Sequence, residues 1–201
     1  MLRTIDITNT IFTSKTYILS KVGEEKAWLV DIGDIDPVLS YLKEHQLIVS
    51  GVFITHGHFD HIYGLKSLIE HYADCKVYVT EYGKEALASD KLNMSRYHET
   101  PFVYEGDNIV VVHEGEEKEL FKGESPMCFY EIPGHNPGCL TMVLGGLIFT
   151  GDAYIPGVKV VTNLPGGSKR QAQESVETIM ELAKGRIICP GHGSVSKEYL
   201  L

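Results

Sequence analysis

The chain carries one pattern twice. In its first half the apolar stretch WLVDIGD (residues 28–34) leads through a helical pattern to GVFITHGH. In its second half LIFTGD (residues 147–152) leads through a helical pattern to RIICPGHG. Each unit is an apolar strand ending in aspartate, a helix, and an apolar strand ending in a histidine–glycine turn. Two such units of one degenerate repeat point to two sheets packed face to face, with helices on the outer faces. The expected fold is therefore α/β, a four-layer αββα sandwich built from two similar halves. Strand ends from both halves should meet at one edge. The 201 residues are enough for such a core, and no low-complexity linker divides them. Residues 1–201 are read as a single domain.

Local patterns fill in the order. RTIDI, NTIFTSKTYILSK and KAWLVDIGD are rich in β-branched and aromatic residues and read as strands. DIDPVLSYLKEHQ reads as a helix with Asp36 as N-cap, Pro37 at the first helical position, and Val38, Leu39 and Leu42 on one face. IVSGVFIT is a strand, HIYGLKSLIEHYA a helix, CKVYVT a strand and EYGKEALAS a short helix. NIVVVHE, MCFYEIP, CLTMVLGG and LIFTGD are strands. SKRQAQESVETIMELAKG is a helix, opening near Ser168 or Lys169 and stopped by Gly185. RIICPGHG is a last strand. The least periodic stretch, Asp90 to Val103, is the candidate lid or substrate loop.

Composition narrows the function. A net charge of −9 and the lack of any Lys/Arg run argue against nucleic acid and anionic membranes as partners. It leaves a small-molecule substrate open, even an anionic one, because a metal inverts the local field. No apolar run approaches a membrane span, and MLRTIDITNTIFTSK has no signal-peptide core. Cys75, Cys128, Cys139 and Cys189 form no C-x-x-C pair, so they read as buried thiols rather than zinc ligands. A cytoplasmic location is the expectation. Oligomeric state is open.

The chemistry concentrates in ITHGHFDHIYG (residues 54–64), where His56, His58, Asp60 and His61 crowd together after a strand. Two-residue spacing keeps side chains converging, and Gly57 allows a tight turn. Imidazole with carboxylate suits zinc, iron or manganese rather than calcium. Three further strand ends add ligand types: His135 in IPGHNPG, Asp152 in FTGDAY and His192 in CPGHGS. Tyr154 follows two residues after Asp152. It is either a donor to a developing oxyanion or, preferably, a packing aromatic. His45, His71, His98 and His113 match no motif and read as exposed or structural.

In this order THGHFDH, PGHNPG, TGDAY and PGHG, preceded by LVDIGD, resemble the metallo-β-lactamase fold superfamily, in particular its glyoxalase II-like hydrolases. The resemblance runs over nearly the whole chain. It implies a site for two divalent metal ions, zinc first, with iron or manganese as alternatives. His56, His58 and His135 would hold one ion; Asp60, His61 and His192 the other; Asp152 would bridge them. Asp31 has no ligand place and is expected to organise the site from behind, or to be a plain strand-end turn. The implied chemistry is attack by a metal-bridging hydroxide on a small thioester or ester-like bond, with Asp60 also orienting that nucleophile.

The chain departs from glyoxalase II in one respect. It ends nine residues after His192, without the helical C-terminal extension that supplies basic groups for glutathione. Glutathione would then rest on groups such as Lys159, Lys169 and Arg170, or the substrate is a smaller thioester. An alternative within the resemblance is a mononuclear iron persulfide dioxygenase, with His56, His135 and Asp152 holding iron. The Arg-containing segment such enzymes carry after GDA reads YIPGVKVVTN here. A nuclease of the same fold is disfavoured by the charge.

Overall fold

A computed structural model describes residues 1–195. A six-stranded sheet has the order β1–β2–β3–β4–β5–β6: Leu2–Thr8, Lys15–Lys21, Lys26–Val30, Ile48–Phe53, Lys76–Val79 and Ile109–Val111. A five-stranded sheet has the order β11–β10–β9–β8–β7: Ile187–Pro190, Leu147–Gly151, Leu140–Leu144, Met127–Glu131 and Glu117–Lys118. The helices are α1 (Ile35–Glu44), α2 (Leu65–His71), α3 (Glu81–Leu87) and α4 (Lys169–Leu182). No helix among the described residues is long and apolar enough to cross a membrane.

Strand alternation builds the layers. Along β3, Trp28 and Val30 face one way, and Ala27 and Leu29 the other. Trp28 and Val30 join Phe53, Tyr78, Phe129, Met142 and Phe149 in a core between the two sheets. Ala27 and Leu29 join Val38 and Leu42 of α1 and Leu65 and Leu68 of α2 in a second core behind the first sheet. A third core sets Ile179 and Ala183, on and just after α4, against Val143, Ile148 and Ile188 behind the second sheet. Three apolar layers between four layers of structure are the αββα sandwich.

The repeat is real in three dimensions. β3 and β4 pair in parallel across α1, and β10 and β11 pair in parallel across α4. Asp31 follows β3 as Asp152 follows β10, and His56 follows β4 as His192 follows β11. Parallel pairing sends the ends of these strands to the same side of each sheet, the usual place for ligands in α/β folds.

Three local readings change. The strand expected over NTIFTSKTYILSK begins only at Lys15, because Phe12 and Thr13 take left-handed φ values of 51° and 58°. Helix α1 is capped at Asp34 rather than Asp36, placing Pro37 at its third position, where its missing N–H still costs no helical bond. The Asp34 carboxylate caps nothing; it accepts from Thr10 N (2.8 Å), Thr10 Oγ1 (2.9 Å) and Tyr63 OH (2.5 Å). The short strand β7 has no sequence signal.

Candidate metal centre

The loop after β4 carries His56, His58, Asp60 and His61; the β8–β9 loop carries His135; Asp152 and His192 follow β10 and β11. All seven converge. Ligand atoms of His56, His58 and His135 lie within 4.8 Å of one another, as do those of Asp60, His61 and His192, and those of His56, His61 and Asp152. Asp152 sits between the sets. Its Oδ1 is 3.6 Å from His61 Nε2, and its Oδ2 is 3.4 Å from His192 Nε2 and 3.7 Å from His135 Nε2. Asp60 Oδ2 is 3.2 Å from His192 Nε2 and 3.3 Å from His61 Nε2.

Glycines let these chains come so close. A Cβ on Gly57 would sit 2.5 Å from Ala86 Cβ. One on Gly191 would sit 2.2 Å from Asp152 Oδ1. Both distances are far inside van der Waals contact, so only glycine fits without displacement.

The atoms behind the ligands fix which ring nitrogen faces inward. His61 Nδ1 lies 2.8 Å from Asp31 Oδ2. His135 Nδ1 lies 2.9 Å from the Val161 carbonyl, and His192 Nδ1 2.9 Å from the Phe12 carbonyl. The Thr55 hydroxyl donates to Asp31 Oδ2 (2.7 Å) and so accepts from His56 Nδ1 (3.1 Å). Each of these imidazoles therefore donates outward from Nδ1 and points Nε2 to the centre. His58 is the exception: its Nδ1 faces His135 Nε2 at 2.9 Å.

Asp31 is the post of this arrangement. Its backbone is left-handed (φ 56°), a conformation that costs a non-glycine residue about 1–3 kcal/mol. Its carboxylate accepts from Thr55 N (2.7 Å), Thr55 Oγ1 and His61, and hydrogen bonds to a charged group are worth about 1.5–3 kcal/mol each. The bonds outweigh the strain. The plain strand-end turn considered from sequence does not describe this residue.

Charge follows burial and neighbours. Burial, then the surrounding imidazoles, pushes His56 well below the ordinary histidine pKa and His58 down to about 3. Burial also lowers His135. In His192 burial is outweighed by Asp152 and Asp60, which hold its pKa up at about 9. His61 is raised the same way, against burial, by Asp60, Asp152 and Asp31. Burial opposes ionisation of Asp60 and Asp152, but His61 and His192 outweigh it and keep both below the usual carboxylate range. Burial pushes Asp31 up, while His61 and Thr55 pull it back.

Two atoms test whether a cation belongs here. His56 Nε2 and Asp152 Oδ1 are buried without a hydrogen-bond partner. Each such orphan costs about 1–3 kcal/mol, more if charged. Moreover, His61 Nε2 and His192 Nε2 face each other at 3.3 Å with both Nδ1 atoms already engaged. Imidazole nitrogens and ionised carboxylates converging on one point are a donor set that suits a transition-metal ion, which would take the place of the protons on His61 and His192.

Of the other residues singled out in the sequence, Tyr154 follows the packing-aromatic reading, and the basic groups and His98 lie elsewhere than expected. Tyr154 packs against the Ile132–Ile188 core and lines a separate cavity with Val158, Lys159 and Lys169. Arg170 pairs with Glu174 at 2.7 Å on α4. The expected basic groups Lys159, Lys169 and Arg170 thus lie away from the lining of the metal cleft. His98, read as merely exposed or structural, does line that cleft. It lies in the aperiodic segment, a poor helix and a poor strand, whose placement depends on contacts far along the chain. Asn93 and Ser95, both buried, pin this segment: Asn93 Nδ2 donates to the Phe102 carbonyl at 2.9 Å, and Phe102 N donates to Ser95 Oγ at 2.7 Å.

A family model described as the metallo-beta-lactamase superfamily matches residues 18–192. The chain belongs to this superfamily. Among its relatives, the hydroxyacylglutathione hydrolase of Shewanella oneidensis is 27% identical over 155 residues, 77% of this chain and 53% of that protein. The hydroxyacylglutathione hydrolase of Salmonella enteritidis is 30% identical over 169 residues, 84% of this chain and 58% of that protein. This metallo-beta-lactamase superfamily chain thus spans between 53% and 58% of the length of these two relatives. Among solved structures, BLEG-1 B3 metallo-beta-lactamase superposes with a TM-score of 0.85 at 23% identity, covering 96% of this chain and 93% of that one. TTHA1623, solved in a di-iron-bound form, superposes with a TM-score of 0.81 at 23% identity and the same coverage. These likenesses establish the fold.

Proposed function

We propose that this superfamily member is a binuclear metallohydrolase that cleaves a small thioester or ester-like bond. The observation that carries the reading is the two-compartment donor set. His56, His58 and His135 would hold one divalent ion, Asp60, His61 and His192 the other, with Asp152 between them. Zinc is the first candidate, iron or manganese the next. When bound, such ions supply a water of lowered pKa and polarise the scissile carbonyl. The names of the relatives, hydroxyacylglutathione hydrolases, support a thioester as the bond.

The chain's own groups hold this chemistry in place. Asp31, Thr55 and the Phe12 and Val161 carbonyls lock four imidazoles in the orientation that points Nε2 at the centre. Asp60 lines the cavity as an ionised carboxylate, which would accept a hydrogen bond from the attacking water and orient it. Buried, neutral His58 and His135 carry no charge that would repel a cation.

The test is metal content by elemental analysis of protein purified without chelator, with assays of thioester hydrolysis and of oxygen uptake with a persulfide. About two ions per chain and thioester cleavage are expected, falling to about one ion with activity lost in His192→Ala. One iron per chain with oxygen uptake, unchanged by His192→Ala, would replace the hydrolase with a dioxygenase.

A further inference from the structure

The cleft above the ligands has a polar floor and an apolar wall. Its volume is about 410 Å³, within the range of roughly 300–1,000 Å³ typical of small-molecule sites. His58, Asp60, His135, Asp152 and His192 line the floor. Phe12, Phe59, Met94, Tyr97, Val161 and Leu164, with His98 among them, line the rest, and no lysine or arginine is among the described lining residues. Phe12, Tyr97 and Val161 are 67%, 72% and 46% exposed, so large apolar side chains stand in water around the mouth of a polar site. Side chains placed this way gain by covering a ligand.

Resting on the hydrolase reading, we infer that the substrate is a thioester whose acyl chain is uncharged and apolar, and that its thiol carrier needs no anionic group. The wall is assembled from four separate segments, around residues 12, 59, 94–98 and 161–164. His98 ties two of them together: its ring is 4.3 Å from Phe59, and meets Phe12 edge-on at 5.7 Å. Phe12 is thrust forward by the left-handed pair Phe12–Thr13, held by Asn9 N to the Ser14 carbonyl (2.8 Å) and Ser14 Oγ to the Asp60 carbonyl (2.6 Å). The carbonyls of Phe12 and Val161 orient His192 and His135, while their side chains form the wall. A chain packed on this wall therefore presses on the residues that aim two ligands. An anionic carrier such as glutathione finds no lysine or arginine among the described residues of the lining. Lys159 and Lys169, the lysines expected for that role from the sequence, line a separate cavity.

The experiment compares N-acetylcysteamine thioesters of acetyl, butyryl and hexanoyl groups with a hydroxyacylglutathione on the metal-loaded protein. Alongside, a non-hydrolysable hexyl thioether of N-acetylcysteamine is titrated by calorimetry. Expected is a rise in kcat/KM of about fourfold per methylene from acetyl to hexanoyl, with the glutathione thioester no better than the acetyl thioester. The thioether should bind with a negative heat-capacity change. Tyr97→Asp, at an exposed position where folding tolerates it, should flatten the chain-length gradient. Cleavage without a gradient, or a tenfold preference for the glutathione thioester, would overturn the inference and leave the hydrolase standing. Thioether binding with no thioester cleaved would sink the hydrolase and keep the apolar pocket. Neither binding nor cleavage would remove both.

Discussion

The carboxylate of Asp31 and the imidazole of His61 meet at 2.8 Å, Oδ2 to Nδ1, with both side chains buried. Asp31 follows β3, and Asp152, its counterpart in the second half, follows β10. One aspartate of the repeat stands among the candidate ligands and the other stands behind one of them. Asp31→Asn keeps a side chain that tolerates the left-handed backbone and an oxygen for Thr55, but removes the charge that steadies His61. Metal affinity, measured by competition with a chelator, should fall by about 10- to 100-fold with the circular dichroism spectrum retained. Unaltered affinity would reduce Asp31 to a turn.

Gly191 is the tightest point of the site. Gly191→Ala brings a methyl to 2.2 Å from Asp152 Oδ1 and 2.9 Å from His61 Cε1. Metal content and hydrolysis should fall together, with a stability loss of about 1–3 kcal/mol from overpacking. Gly146, with open space around its Cβ direction and no left-handed backbone, is the control. Gly146→Ala should stay within about 0.5 kcal/mol in a denaturant titration. Equal behaviour of the two variants would refute the packing account.

Stability of the metal-free protein should peak near pH 6.5, the ordinary histidine value. Below it, the unfolded chain takes up protons that burial denies to His56, His58 (held to about 3) and His135, so stability falls with pH. Above it, His192, held near 9 by Asp152 and Asp60 against burial, and His61, raised likewise, bind protons in the fold that the unfolded chain has lost. That contribution is complete below pH 6.5 and disappears as pH rises toward about 9. Thermal melts in chelator from pH 5 to 9 should trace this peak, and added metal should stabilise more at the alkaline end, where it no longer displaces protons. A melting temperature that climbs steadily across the range would contradict the assignment.

Thiol chemistry offers an independent check of the core. Burial pushes Cys75, Cys139 and Cys189 up to about 12, which leaves roughly one thiolate in ten thousand at pH 8. Cys128 is half-buried, and its pKa is raised by burial and by Glu117. A disulfide exchange reagent should therefore label Cys128 first in the native protein and the other three only on unfolding. Rapid native labelling of Cys139, beside the metal loop, would mean that the β8–β9 region opens.

Much of the site is legible in the chain because its signals are local. His56, His58, Asp60, His61, His135, Asp152 and His192 each follow a strand whose apolar pattern is visible, and each carries its ligand chemistry in its own side chain. The convergence of six of these follows once the repeat is read as two parallel strand pairs; His135 comes in from the antiparallel β8–β9 connection. What resisted reading was set by long-range contacts. The turn at Phe12 looked like a continuing strand because β-branched residues surround it, yet its conformation is fixed by Ser14 bonding to the Asp60 carbonyl, 46 residues away. His98 looked idle because its partners, Phe12 and Phe59, come from other segments.

The residue order by itself therefore determined the sandwich, its halved construction and the identity of the donor groups, since strand periodicity and imidazole or carboxylate chemistry need no distant partner to be recognised. Only the tertiary structure decided which nitrogen of each histidine turns inward, that Asp31 backs His61, and that the cleft wall is apolar while Lys159 and Lys169 line another cavity. Those properties belong to pairs of residues brought together by packing. A lone pair has a direction, and a pocket has a lining, only after the chain has closed around them.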